Sequence, residues 1–524
     1  MSRQKIGEEV TRRSSIALHP TDHTIAGHGS SAQRLCRRCE NIDTAIIQSL
    51  QPEDEPYTVT HHVNFDALEQ SAAAGCSLCR LFHQETDEYR GTKLKYFNRG
   101  QLSIVFQAIE ADGNTKVRVE YRDAVVDRHP YHLVSTADNL NRLLSEYPDL
   151  KLCARWLHRC SGQDQETRAG HRNCPTLVEV KLPTRVLKVG SHSGDPITLV
   201  ETDGTRGVYA CLSHCWGTSP VSASTLRSNL HHHLQGFPLE YLPRTFRDAV
   251  TVCRYLHLPY LWIDSLCIVQ DDPQDWDGEC VQMCSIYQNA ALTIAASSSE
   301  NAEGGILRLR KQPTSSPCLI PSKTSGGPAY VISPWPRSAA GSWLSSLELP
   351  PAALLERAWV VQECLLSPRI LFFHEDELYF DCFAGRFREA YPDIAHRHHP
   401  QDSFDRAQYN KMTLNPSNLA HPEQHLVDIW FSIVHEYSLT QLSYQGDVLP
   451  ALSGLAKALA QRSKQIEAPL GDYAAGLWTE KDVFNKCLLW YATGKRKQYR
   501  FPCEESLPSW SWASSHPSLI RRGH

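Results

Sequence analysis

From about residue 180 onwards, short apolar runs alternate with segments whose apolar residues recur at helical spacing. The runs 181–189, with a proline near its start, and 207–213 predict two strands. The segment that begins near Leu242 predicts an amphipathic helix, because its apolar residues lie three or four positions apart and share one face. A further apolar run predicts a buried strand over 259–263, which ends at Asp264.

The same alternation continues to about residue 383. A helix is predicted to start at Pro273, and a strand of small residues follows at 291–297. Residues 311–350 are rich in Pro, Ser and Gly, which predicts an excursion away from the core. After one more helix, two strands are predicted at 369–373 and 378–382.

Strands that alternate with helices indicate an α/β fold, with a largely parallel sheet covered on both faces. In open sheets of this kind, ligands bind beyond the carboxyl ends of the strands. The polar residues predicted at those ends are Ser213, His214, Trp216, Asp264 and Ser297. The sequence therefore predicts a binding cleft at this edge of the sheet.

The flanking parts of the chain differ from this core. Residues 1–34 resemble a disordered lead-in, and 35–180 form a Cys/His-rich region expected to be α+β. The α/β core is predicted over 181–383. Longer helical patterns predict a helical accessory region over 384–524.

Composition restricts the class of protein. The chain has 524 residues with a formal net charge of −5, so it lacks the basic field on which nucleic-acid binding usually depends. No stretch approaches the ~20 apolar residues of a membrane span. The N-terminus lacks the apolar run of a secretory signal. We therefore expect a cytoplasmic protein without nucleic-acid or membrane-spanning contacts.

Two CxxC pairs stand out among the 18 cysteines. The first pair is Cys36 and Cys39, and the second is Cys76 and Cys79. Two such pairs can supply the four thiolates of a tetrahedral zinc ion. The neighbouring histidines 61 and 62 could replace one thiolate. Four buried, reduced thiols are the alternative.

A second group contains Cys160, His171 and Cys174. These residues could supply three metal ligands, but the sequence does not identify a fourth. Surface histidines near core cysteines are the alternative explanation. Isolated cysteines in apolar stretches, Cys382 among them, are interpreted as small core residues.

Three Trp-containing segments resemble the successive motifs of the fungal heterokaryon-incompatibility (HET) domain. They are 209–217 (YACLSHCWG), 242–272 (which begins LPRTFRDAV and ends YLWIDSLCIVQDD) and 357–367 (RAWVVQECLLS). The resemblance spans about 207–367 in the family's order. It implies a role in fungal non-self recognition that leads to programmed cell death.

The resemblance also implies a fold and a chemistry. HET domains are thought to be similar to Toll/interleukin-receptor-like (TIR) domains, which have a flavodoxin-type parallel sheet. Some TIR domains cleave the nicotinamide–ribose bond of NAD with a helix glutamate near a tryptophan. The matching residues here are Glu363 as the catalytic carboxylate and Trp359 one turn away. The residues expected to bind NAD are Ser213, Trp216, Gly217, Asp264 and Trp359.

Other interpretations remain open at this point. Glu363 could be an exposed helix carboxylate paired with an arginine, and Trp216 and Trp359 could be core residues. Glu279 is a competing carboxylate, which an exposed helix face would explain equally well. A non-catalytic signalling module that acts through protein partners or self-association is the alternative function.

Overall fold

The computed structural model describes most of the chain from residue 34 onwards. The described residues are 34–43, 46–47, 54–87, 102–108, 115–121, 124–125, 131–134, 145–162, 171, 174–217, 223–310, 318–320, 330–333, 352–375, 377–389, 391–396, 422–493, 507–515 and 519–522. The predicted lead-in over 1–34 lies almost entirely outside these residues.

Twelve α-helices occur among the described residues. In chain order they are α1 (Arg37–Glu40), α2 (Phe65–Ala73), α3 (Ser77–Asp87), α4 (Leu150–Ser161), α5 (Leu230–Gln235), α6 (Arg244–Tyr255), α7 (Asp264–Cys267), α8 (Pro273–Asn289), α9 (Ala358–Leu366), α10 (Pro422–Leu439), α11 (Pro450–Gln465) and α12 (Lys481–Cys487).

The strands of the described residues are numbered in the same way. They are β1 (Tyr57–His62), β2 (Leu102–Ala108), β3 (Thr115–Tyr121), β4 (Ala124–Val125), β5 (Tyr131–Val134), β6 (Val180–Lys181), β7 (Arg185–Lys188), β8 (Thr198–Glu201), β9 (Arg206–Gly207), β10 (Tyr209–Ser213), β11 (Tyr260–Trp262), β12 (Leu292–Ala295), β13 (Cys318–Ile320), β14 (Tyr330–Ser333), β15 (Arg369–Phe373), β16 (Leu378–Cys382), β17 (Gly385–Arg388), β18 (Tyr391–His396), β19 (Tyr473–Ala474), β20 (Leu477–Trp478), β21 (Trp490–Thr493) and β22 (Leu519–Arg522).

The chain forms two compact units. The N-terminal unit takes the described residues of Met1–Leu133 and Ser315–Pro334, and the core unit takes those of Val134–Thr314 and Trp335–His524. The N-terminal unit contains a sheet of order β1-β2-β3-β5-β14-β13, with β4 paired to β3. Its last two strands come from the segment 311–350. This insert therefore supplies part of the N-terminal unit's sheet.

The core unit is built on a sheet of nine described strands, in the order β18-β17-β16-β15-β12-β10-β11-β7-β8. Its four central strands, β11, β10, β12 and β15, are parallel. The flanking strands pair antiparallel on both sides. The expectation of a largely parallel sheet is therefore wrong. Short connections such as 374–377, between β15 and β16, permit only antiparallel neighbours.

Helices cover the parallel strands. Right-handed crossovers place α6, which links β10 to β11, on one face. The next two connections run the opposite way across the sheet, so α8 and α9 lie on the other face. In agreement, α8 and α9 pack against each other and against α11. The C-terminal part of the chain thus adds its helix α11 to the layer that carries Glu363.

The C-terminal part also contains two small antiparallel sheets of two strands each, β19–β20 and β21–β22, which the helical prediction did not include. Gly476 lies in the turn between β19 and β20, at φ +93°. Its carbonyl accepts hydrogen bonds from Trp430 Nε1 at 2.8 Å and Trp512 Nε1 at 2.9 Å. None of the described helices is long and apolar enough to cross a membrane.

We predict opposite effects for two glycine-to-alanine changes. Gly476→Ala should destabilise by about 1–3 kcal/mol, because the added Cβ would lie 2.6 Å from Trp512 Nε1 in a left-handed turn. Gly278→Ala, at an exposed position in α8 with no atom within 4 Å of the added Cβ, should stabilise by about 0.5–1 kcal/mol. Urea unfolding followed by tryptophan fluorescence measures both, and a stabilised Gly476→Ala would contradict the turn geometry.

Candidate functional site

The carboxyl ends of β10 and β11 carry most of the polar residues that the sequence places in a site. Ser213 is the last residue of β10, and His214 and Trp216 follow it. Asp264 begins α7, two residues after the end of β11. Because β10 and β11 are parallel neighbours, their carboxyl ends lie at the same edge of the sheet.

Asp264 joins the two strand ends. Trp216 Nε1 donates a hydrogen bond to its Oδ2 at 2.9 Å, and the backbone N–H of Ser265 donates to Oδ1 at 2.7 Å. His214 Nδ1 lies 3.7 Å from Oδ1. Burial lowers the pKa of His214 to about 4, although the Asp264 charge opposes this shift. His214 is therefore neutral at neutral pH, and its contact with Asp264 is not an ion pair.

Arg357 connects helix α9 to this edge. It is the residue just before α9, and its guanidinium donates to the backbone carbonyl of His214. The side chain is half-buried, so its positive charge is only partly screened. Arg357 therefore brings a cation beside the strand ends.

Glu363, a residue of α9, lies near Arg357, Ser213 and Asp264. It is 5% exposed, and burial raises the pKa of its carboxyl group. The charge of Arg357 opposes the shift, as do the nearby hydroxyls of Ser213 and Tyr287, although Ser213 Oγ and Glu363 Oε2 do not reach hydrogen-bond geometry. The nearby charge of Asp264 adds to it. The interpretation of Glu363 as an exposed helix carboxylate is therefore wrong.

Several buried polar atoms of these residues lack a hydrogen-bond partner within the described part of the chain. They are Ser213 Oγ, His214 Nε2, Ser265 Oγ and Glu363 Oε2. Buried polar atoms are nearly always paired in folded proteins. Unpaired atoms on residues at one sheet edge indicate a place where a polar ligand or water binds.

Two of the residues expected to bind NAD make other contacts. Trp359 Nε1 donates to Asp447 Oδ2 at 3.1 Å, so this indole is held by the C-terminal part of the chain. Gly217 is exposed at φ +82°, and an added Cβ would lie 2.8 Å from Asn301 Cβ. Gly217 thus allows the loop after β10 to approach the segment after β12. Ser297 is buried in that segment, where its hydroxyl contacts the carbonyl of Ala295 at 3.5 Å.

Sequence reasoning did not assign Arg357 and Tyr287 to the site. Arg357 is the first residue of the third HET-like segment, so its position in that motif was an available signal. Tyr287 lies in α8, the helix that the sequence predicts to start at Pro273. Its hydroxyl gave no sequence signal, because only the fold brings α8 next to Glu363.

Glu279, the competing carboxylate, lies elsewhere. It is 3% exposed, which contradicts the expectation of an exposed helix face. Burial raises its pKa, and Thr184 and Arg185 oppose the shift. Glu279 thus interacts with residues next to and within β7 rather than with Ser213 or Asp264.

A cluster of sulfur atoms lies in the N-terminal unit. The N-terminal cluster consists of Cys36, Cys39, Cys76 and Cys79, whose Sγ atoms all lie within 4.8 Å of one another. The Sγ of Cys39 is 3.5 Å from that of Cys36, 3.6 Å from that of Cys76 and 3.6 Å from that of Cys79. A zinc tetrahedron with bonds of about 2.3 Å has sulfurs about 3.8 Å apart. The N-terminal cluster could therefore hold a metal ion such as zinc.

The two neighbouring histidines border this cluster from β1. Nε2 of His61 lies 3.1 Å from Cys39 Sγ, and Nε2 of His62 lies 3.3 Å from Cys79 Sγ. Burial lowers the pKa of His61 to about 3, which keeps the imidazole neutral, the form that binds metals. Cys36 and Cys79 with both histidines form an alternative ligand set.

A second group lies in the core unit. The core-unit cluster consists of Cys160, His171, Cys174 and Cys382, whose ligand atoms also lie within 4.8 Å of one another. Cys382, interpreted from the sequence as a small core residue, is buried in the core and also belongs to this cluster. The sequence could not identify it, because only the folded sheet brings the end of β16 to the other three residues.

A comparison with known families identifies the region that contains the strand-end residues. Residues 209–363 match the family model described as "Heterokaryon incompatibility protein (HET)". No curated protein and no solved structure matched the chain. The match begins at the first residue of β10 and ends at Glu363, and it contains neither cysteine cluster.

Glu363→Gln should stabilise the protein at neutral pH. Below about pH 4.5 the carboxyl is protonated in both the folded and the unfolded chain, so folding buries no charge at this position. As the pH rises above that value, Glu363 ionises first in the unfolded chain, which lowers the free energy of unfolding. This destabilisation grows until the pH exceeds the raised pKa of Glu363 in the folded state. Melting temperatures of wild type and variant should therefore be similar at pH 4 and higher for the variant at pH 7.5. A lower melting temperature at pH 7.5 would contradict the buried position.

Cys39→Ser should remove one equivalent of zinc from the purified protein, because a hydroxyl is a much poorer zinc ligand than a thiolate. Metal analysis by mass spectrometry measures the loss. Cys318→Ser is the matched control, since Cys318 is a buried cysteine of the same unit outside the ligand set. Equal zinc in wild type and Cys39→Ser would show that Cys39 is not a metal ligand, which leaves the set of Cys36, Cys79 and the two histidines.

Proposed function

Because residues 209–363 form a HET domain, we propose that this protein acts in heterokaryon incompatibility by cleaving the nicotinamide–ribose bond of NAD. Heterokaryon incompatibility is the fungal response to non-self that ends in cell death. Loss of NAD would connect the chemistry of the core unit to that outcome.

The observation that carries this proposal is the buried Glu363, with Oε2 unpaired among the described residues, beside Ser213 at a sheet edge. The four parallel strands follow the order 2-1-3-4, which begins the flavodoxin-type order 2-1-3-4-5. Ligands of such sheets bind at the carboxyl ends near the point where the order reverses. Here that point lies between β10 and β12, and Ser213 ends β10.

The proposed chemistry suits a buried carboxylate. Cleavage of an N-glycosidic bond passes through a state in which the ribose carries positive charge. An ionised Glu363 would stabilise that charge and accept hydrogen bonds from ribose hydroxyls. Nicotinamide leaves with the bonding electron pair, and a water molecule adds to the ribose to give ADP-ribose and a proton.

The surrounding residues can bind the rest of the dinucleotide. Arg357 supplies a half-buried cation for the pyrophosphate, and the Ser213 hydroxyl has a free hydrogen-bonding capacity within the described residues. We assign ring stacking to Trp216 rather than to Trp359. Asp264 holds the Trp216 indole at the strand ends, whereas Asp447, in the C-terminal part of the chain, holds the Trp359 indole.

Glu363→Gln should lower nicotinamide release from NAD by about 10²–10³-fold, the usual cost of removing one electrostatic contact to the transition state. Chromatography of the reaction measures the release. Glu279→Gln is the matched control, because it removes a second buried carboxylate of raised pKa that does not face Ser213. It should retain wild-type turnover.

The assay should cover a range of protein concentrations with light scattering in parallel, so that self-associated protein is also tested. Absence of turnover in both dispersed and assembled wild type would overturn the proposal and favour a non-catalytic signalling module. Wild-type turnover by Glu363→Gln would overturn the role of this carboxylate.

A further inference from the structure

A buried arginine at the start of β15 has no carboxylate partner in the described part of the chain. Arg369 is 1% exposed. It donates to the carbonyls of Ala291, at 3.3 Å, and Pro175, and its Nε donates to Cys160 Sγ at 3.1 Å. A guanidinium keeps its charge at all ordinary pH values, and a buried charge without a counter-charge is costly. A negative charge near Arg369 would therefore stabilise the folded state.

The core-unit cluster is the candidate source, because Cys160 belongs to it. Cys160 lies in the last turn of α4, His171 and Cys174 lie in the following segment, and Cys382 ends β16. Cys382 is also directly opposite Arg369 in the antiparallel pair β15–β16. Three separate parts of the core unit thus meet beside one guanidinium.

The geometry of His171 suits a metal ligand. Its Nδ1 lies 3.3 Å from Cys382 Sγ and 4.0 Å from Cys174 Sγ. Its ring stacks on Phe387, with centroids 5.3 Å apart and planes 8° from parallel. This stacking fixes the imidazole with Nδ1 directed at the sulfurs. Three cysteines and one histidine form a standard closed set for structural zinc.

We propose that the core-unit cluster binds a structural zinc ion and that Arg369 neutralises the resulting complex. Zinc contributes two positive charges and three thiolates contribute three negative ones, so the complex carries one net negative charge. The single positive charge of Arg369 balances it. Reduced, protonated thiols would leave the buried guanidinium without that counter-charge.

The proposed zinc lies away from the strand-end residues. Arg369 begins β15 and Ala291 immediately precedes β12, so the cluster lies by the amino ends of these parallel strands. Ser213 and Asp264 lie at or just beyond carboxyl ends. The ion would join α4, the 171–174 segment and the β16–β17 hairpin, and four protein ligands leave no open position for a substrate.

Zinc content of the full-length protein tests the proposal. Cys36→Ser/Cys39→Ser, which disrupts the N-terminal cluster, should retain one zinc per chain. Adding Cys174→Ser should reduce the content to zero, whereas adding Cys174→His should keep the ion, since histidine is itself a zinc ligand. Cys174 is only half-buried, so these changes place little strain on the core.

Cys153→Ser is the control in the same background. Cys153 is a buried cysteine of the same helix α4 whose thiol contacts the carbonyl of Asp149 at 3.3 Å, a contact that serine can make. This variant should retain its zinc. Substitution of cobalt for zinc should give thiolate-to-metal absorption that Cys174→His alters. Absence of zinc from Cys36→Ser/Cys39→Ser, or retention after Cys174→Ser, would overturn the site.

A second measurement addresses Arg369. In competition with a chelator, Arg369→Gln should bind zinc about 10–100-fold more weakly, the usual effect of losing a group that supports metal ligands. Arg369→Lys, which keeps the positive charge, should lose less zinc affinity than Arg369→Gln. Equal zinc affinity in Arg369→Gln and wild type would overturn the charge-balancing role.

Discussion

Burial of charge within the nine-stranded sheet is the constraint on which the rest of the structure depends. A sheet covered on both faces removes water from the ends of its inner strands, so charged groups there must be balanced by the protein or by what it binds. Near the carboxyl ends of the parallel strands, Arg357 and the hydroxyls of Ser213 and Tyr287 favour the charged form of Glu363. Near the amino ends of these strands, Arg369 donates hydrogen bonds to the sulfur of Cys160 and the carbonyl of Ala291. The sheet thus has a buried negative group near the carboxyl ends of its strands and a buried positive group near the amino ends, and each is stabilised by polar neighbours.

Much of the fold could be predicted from the sequence, because local patterns encode it. The apolar runs and the helical spacing between them specify β10, α6, β11, α8 and β12 by short-range preferences alone. The CxxC pairs likewise indicated a thiol cluster, because two ligands three residues apart are a local signal. The same holds for the HET-like motifs, because each is a short continuous stretch of sequence.

Other features required contacts between distant parts of the chain. Nothing near Cys382 in the sequence distinguishes it from a core cysteine, and only the pairing of β16 with β15 brings it to Cys160. The partner of Trp359 could not be predicted, because Asp447 reaches it through the packing of α11 on α9. The burial of Glu279 was missed for the same reason. A polar residue within an amphipathic helix is buried or exposed according to what packs against that face.

The insert between β12 and α9 has a consequence for how the polypeptide can be divided. Its strands β13 and β14 complete a sheet whose other strands precede residue 135. The chain therefore leaves the N-terminal unit, builds part of the core unit, and returns to the first sheet before finishing the second. A fragment cut at 181–383 would keep two strands of a foreign sheet with unpaired backbone edges, which promote aggregation. The two units are covalently interleaved, and neither corresponds to a single continuous stretch of sequence.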